Sequence, residues 1–187
     1  MKIPRFSVLA GLLLAVLGAA LPAHATDYWT NEALLADFFK AGKSPRVRYK
    51  PVTLSDAEAA EIGKKLGAPV KKTWSVYVAE EAEDKKRLGY ALLDQEIGLH
   101  EPIDFGVRFG VGGAVERVEI RAYREAYGDE VRQERFRKQF VGKTAGDPIV
   151  AGKDVDIISG ATYSSKAMAL GVKRDALVLQ TALKNGL

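Results

Sequence analysis

The chain has 187 residues, with 28 Lys plus Arg against 24 Asp plus Glu, no cysteine, and only two histidines, His24 and His100. Those counts exclude disulfides, thiol catalysis, C-x-x-C-H haem attachment and a His-rich metal site. No metal is expected, and a net charge of +4 is too small to suggest nucleic acid as a partner.

Lys2 and Arg5 precede an apolar run over 6–21, broken only by Ser7, and Pro22 then leads into Ala23-His24-Ala25. This order is that of a secretory signal, and the small-x-small spacing predicts cleavage after Ala25. A retained anchor is the competing reading, but the run falls short of the roughly 20 residues a spanning helix needs. The expected organisation is a signal peptide over 1–25, a helical and extended segment over 26–68, and a main domain over 69–187.

Thr30 caps a predicted helix over 31–41 with Leu34, Leu35, Phe38 and Phe39 on its apolar side. A loosely alternating strand over 46–53 follows. Ser55-Asp56-Ala57-Glu58 is a capping box for a helix reaching Leu66, with Gly67 and Pro69 as the stop. The period then changes to two. Trp74, Val76 and Val78 alternate with polar residues, 80–86 turns, and 88–93 returns. Ile103, Phe105, Val107 and Phe109 precede a Gly112-Gly113 turn, after which Val118, Ile120 and Ala122 oppose Arg117, Glu119 and Arg121. A charged helix is expected over 130–140, its arginines forming a solvated face. The last helix, over 164–183, buries Met168, Val172, Ala176, Leu179 and Leu183. No internal repeat interrupts this order. The fold class is therefore α+β, an antiparallel sheet covered on one face by flanking helices.

Chemistry concentrates in Asp156-Ile157-Ile158-Ser159-Gly160-Ala161-Thr162-Tyr163-Ser164-Ser165. An extended run turns at small residues and presents a hydroxyl just before a helix, with Ser164 or Ser165 as its cap. Free first-turn amides and the helix dipole suit a phosphate near Thr162. An ordinary glycine turn with a serine cap fits the same residues.

Asp-x-x-Ser-Gly-Ala-Thr, then one residue and Ser, resembles the flavin-attachment motif of the FMN-binding domain family, found in flavin subunits of membrane redox complexes. The likeness extends through Gly89-Tyr90, 96–103, Tyr123-Arg124-Glu125 and 139–143. It implies that Thr162 carries FMN through a phosphoester, installed by a flavin transferase using FAD as donor. Asp156, Ser159, Gly160 and Ala161 are then the recognition sequence, with Tyr163, Ser164 and Glu125 as further cofactor-binding residues. Relatives in ion-pumping complexes carry Glu-Thr-Pro-Gly where this chain has Glu125-Ala126-Tyr127-Gly128. Phe140 and Tyr163 are aromatic candidates for stacking on the flavin ring.

No catalytic residue is assigned. His100 stands alone beside Glu101 and Asp104, and no G-x-S-x-G elbow is present. The resemblance implies a periplasmic electron-transfer flavoprotein, with a membrane dehydrogenase or c-type cytochrome as redox partner. The alternative is a flavin-dependent sensory or accessory module of a membrane redox system.

Overall fold

Strict alternation in the central strands, with one parity buried in each of two separate clusters, explains why this sheet has two covered faces. The structure is a computed structural model that describes residues 26–187; the expected signal peptide lies outside them. Six antiparallel strands run in the order β1-β6-β5-β4-β3-β2. They are β1 (Thr26–Asp27), β2 (Pro45–Thr53), β3 (Thr73–Glu81), β4 (Arg87–Ile97), β5 (Pro102–Phe109) and β6 (Val115–Tyr123). β2 to β6 form a meander, and β1 returns to pair Thr26 with Tyr123 at the far edge.

Val76, Val78, Leu92, Phe105 and Val107 point to one face, where they meet helix α4 (Thr162–Lys184) in the main core. Ala79 and Ala91, of the opposite parity, meet Leu34, Leu35, Phe38 and Phe39 of helix α1 (Asn31–Phe39). The expectation of one covered face is thus corrected. The small Ala79 and Ala91 give α1 room to lie down, and each of its large apolar side chains contributes about 1.5–3 kcal/mol by leaving water. Thr30 caps α1 by accepting from Ala33 N at 3.1 Å. Helix α2 (Asp56–Leu66) has the full capping box, in which Ser55 N donates to Glu58 Oε2 at 2.7 Å, and Gly67 ends it in the left-handed conformation.

α4 lies close against β5. A Cβ on Gly171 would stand 2.4 Å from Phe105 Cζ, so the helix approaches the sheet only because that side chain is absent.

Two further expectations change. Residues 130–140 do not form one helix, because Gln133 has ψ 136° and divides a 3-10 turn at Asp129–Arg132 from the short helix α3 (Glu134–Arg137). Nor is the arginine face uniformly solvated. Arg137 is drawn inward to pair with Glu119 and to donate to Val118 O at 2.9 Å. Glu119 itself is buried, bridged also by Arg117 Nε at 2.8 Å. Ion pairing lets the polar parity of β6 sit beneath α1 and α3.

Candidate cofactor-attachment site

α4 begins at Thr162, two residues earlier than the predicted start, and Ala161 occupies the cap position without a side-chain bond. Ser165 N is the first α4 amide with a backbone acceptor, Ala161 O at 2.8 Å. The amides of Thr162, Tyr163 and Ser164 are therefore the orphan donors that every helix start leaves. Neither predicted serine caps the helix, because both are turned inward. Ser165 is fully buried and its Oγ accepts from Ile158 N at 3.2 Å, holding the incoming chain against the first turn. Ser164 is also buried, with its Oγ 2.8 Å from the Tyr123 hydroxyl.

That leaves Thr162 and Tyr163 as the exposed residues of the first turn. Gly160 has φ +83° with nothing within 4 Å of an added Cβ, and Ser159 is exposed beside it. Thr162 is thus an exposed residue preceded by small side chains, with open space at Gly160 and orphan amides in its own turn. These residues fit a phosphate diester, whose single negative charge the helix start stabilises by about 0.3–1 kcal/mol.

Two loops support this corner. Tyr123 Oη donates to Tyr127 O, so the Ser164 hydroxyl must donate to Tyr123. Burial pushes the Tyr123 phenol up, reinforced by the nearby carboxylates of Glu125, Asp129 and Glu130 and opposed by Ser164. It remains a hydroxyl at neutral pH. Gly128, at φ +97°, packs against both elements, and a Cβ there would fall 2.7 Å from Tyr123 Oη and 2.8 Å from Ser164 Oγ. Tyr123→Phe removes two hydrogen bonds at once and is expected to cost about 1–2 kcal/mol, measurable as a lower urea midpoint with an unchanged slope.

Glu125 does not point at Thr162. Its Oε1 accepts from His100 N at 2.6 Å and Glu101 N at 3.0 Å, tying the β4–β5 turn to the loop after β6. Burial raises its pKa, but the backbone donors of Glu101, His100 and Leu99 outweigh that and hold it below the ordinary carboxylate range. Its visible work is positional. Asp156 is exposed, its amide donates to Gln139 Oε1 at 2.7 Å, and its carboxylate has no ion-pair partner among the described residues. Phe140 is fully buried, edge-on to Phe136 at 5.5 Å, so it belongs to the core and is removed from the stacking candidates. Tyr163 is 56% exposed.

Sequence reasoning missed Asp154. Its carboxylate accepts from Ile149 N at 3.0 Å, Val150 N at 2.7 Å and Lys143 Nζ at 2.8 Å, organising the loop that delivers the motif. Burial opposes ionisation, yet Lys143 and the two amides bring its pKa down to about 2. The only sequence signal was an Asp two residues before Asp156.

Cavities of about 430, 530 and 500 Å³ lie elsewhere, and none is lined by a residue of 156–163. A group on Thr162 would occupy an open corner.

No curated protein matches the chain. Residues 98–176 match the model of the FMN-binding domain family, a span that includes Glu125 and the whole of 156–164. Over this span the chain is similar to the FMN-binding domain family, and the match supports a flavin-binding protein.

Proposed function

We propose that the protein carries FMN covalently on Thr162 Oγ and serves as an exported electron carrier in an extracytoplasmic respiratory chain. The observation that carries the reading is an exposed hydroxyl at the first position of α4, inside Asp-x-x-Ser-Gly-Ala-Thr. Attachment is a phosphoryl transfer with no change of oxidation state. The hydroxyl oxygen attacks the FMN-side phosphorus of FAD, the pyrophosphate P–O bond breaks, AMP leaves, and the hydroxyl proton passes to the transferase or solvent. Asp156, Ser159, Gly160 and Ala161 form the sequence the transferase reads. Unpaired amides at the start of α4 then receive the diester charge.

When bound, FMN supplies exchange of one or two electrons. The chain's own part is to hold that group at an exposed corner, with Tyr163 beside it and the loop ending at Gly128 fixed by Tyr123 and Ser164. Covalent attachment keeps the cofactor with its protein where free FMN would diffuse away. The redox partner is a membrane dehydrogenase or a c-type cytochrome.

Co-expression with a flavin transferase tests the proposal. A yellow periplasmic protein beginning at Thr26, reduced by dithionite and reoxidised by a c-type cytochrome, is the expected result. Colourless protein, or an intact Met1 in the membrane fraction, contradicts it.

A further inference from the structure

Nine large apolar side chains are exposed among the described residues, and five of them belong to the segments around the Thr162 corner. Tyr127 is 86% exposed, Tyr163 56%, Ile97 53%, Leu99 49% and Ile157 38%. Three segments carry them. Glu125 ties the 97–101 turn to the 125–128 loop through His100 N and Glu101 N. Gly128 in turn packs that loop against Ala161 and Ser164 at the start of α4. Clustered exposed apolar groups of this kind mark interaction sites, whereas single ones need no explanation.

Charge is distributed just as unevenly. Stretches 97–101, 125–130 and 156–163 hold five carboxylates and neither Lys nor Arg, although basic residues outnumber acidic ones 28 to 24 in the whole chain. Glu101, Asp129 and Asp156 are exposed, and no ion pair engages them among the described residues. The neighbouring arginines are already committed, Arg124 to Asp104 at 2.9 Å and Arg132 over the Tyr28 ring at 3.5 Å. Lys153 and Lys166, each three positions outside 156–163, are exposed cations that flank that stretch. A phosphodiester on Thr162 would add another negative charge.

We infer that this acidic-rimmed apolar corner is the docking face for a redox protein whose own cofactor edge is ringed by Lys or Arg. The inference rests on the FMN reading for its purpose and on the surface chemistry for its location. An apolar centre expels water at contact, while opposite charges at the rim steer the encounter and set orientation. Complexes of this kind are small and short-lived, as turnover requires.

The probe is a lysine-rich mitochondrial-type cytochrome c, titrated at low ionic strength into the isotope-labelled, FMN-loaded chain and followed by amide chemical shifts. Shift changes should centre on 97–101, 125–130 and 156–163 and collapse with added salt. Glu101→Lys combined with Asp129→Lys should weaken binding about tenfold or more, while Arg46→Glu with Arg48→Glu, on edge strand β2, should leave it unchanged. Equal binding of an acidic cytochrome, or shifts centred on another surface, overturns the inference, and shift mapping on the wild type decides even where a variant fails to fold. Unloaded Thr162→Ala chain goes through the same titration. If loading at Thr162 fails while this chain still binds at the corner, the covalent reading falls and the docking face stands. If the chain loads but the cytochrome binds elsewhere, the docking face alone falls.

Discussion

Thr162→Ala is expected to abolish covalent flavin loading. In cells supplying the transferase, the variant should run on a denaturing gel without yellow-green fluorescence, whereas the wild type should fluoresce. The loss is complete because a methyl group cannot attack phosphorus, and it is local because alanine is a favourable residue for the start of α4. Thr162→Ser keeps a hydroxyl at the same exposed position and retains part of the loading. Asp156→Ala should impair loading with the fold intact, since the carboxylate makes no bond among the described residues and the amide keeps its contact with Gln139. Fluorescence that survives Thr162→Ala would place the bond on another residue.

Asp175→Asn is expected to stabilise the protein once pH exceeds the ordinary carboxylate range, with a gain that grows as pH rises toward the raised native pKa. Asp175 is completely buried in α4, and neither carboxyl oxygen has a donor among the described residues. Burial drives its pKa well above the ordinary value, and the Asp94 carboxylate adds to the shift. Arg174 and Lys71 oppose it, but both are drawn to Asp94, Arg174 Nη2 at 2.7 Å and Lys71 Nζ at 3.0 Å, and Arg174 also pairs with Glu96. The folded state therefore holds a proton that the unfolded chain releases above about 3.8. Stability from this group is full below that value and drains away as pH climbs toward the raised native pKa. An asparagine needs no proton and can donate to Asp94, so relieving the buried acid is worth on the order of 1–4 kcal/mol. Urea midpoints of variant and wild type should diverge with pH. A difference that stays flat with pH, or reverses, contradicts the protonated Asp175.

The helices flanking the sheet were legible because their ends are local chemistry. Thr30, the Ser55–Glu58 box and Gly67 announce α1 and α2 without reference to anything distant. The β5–β6 hairpin was equally plain, with Gly113 at φ +83° and Gly113 N donating to Gly110 O at 2.9 Å. Long-range pairing was what alternation concealed. Glu119 reads as a solvent-facing residue until Arg117 and Arg137 arrive from either side, and Gln133 reads as helical until Phe136 and Arg137 are drawn to the sheet. β1, with two residues, has no period to detect. At the site, the motif placed Thr162 within two residues of the predicted helix start. Tyr123 and Gly128 could not be seen as its supports, since their contact with Ser164 spans 41 and 36 positions of chain.

Peptide mapping of denatured wild-type protein, loaded in the presence of the transferase, tests the central claim most directly. The account predicts one flavin per chain, resistant to denaturation, released with the phosphate-linked fragment, and localised to Thr162 within the peptide containing 159–165. Flavin that washes off on denaturation, or maps to any other residue, would contradict it.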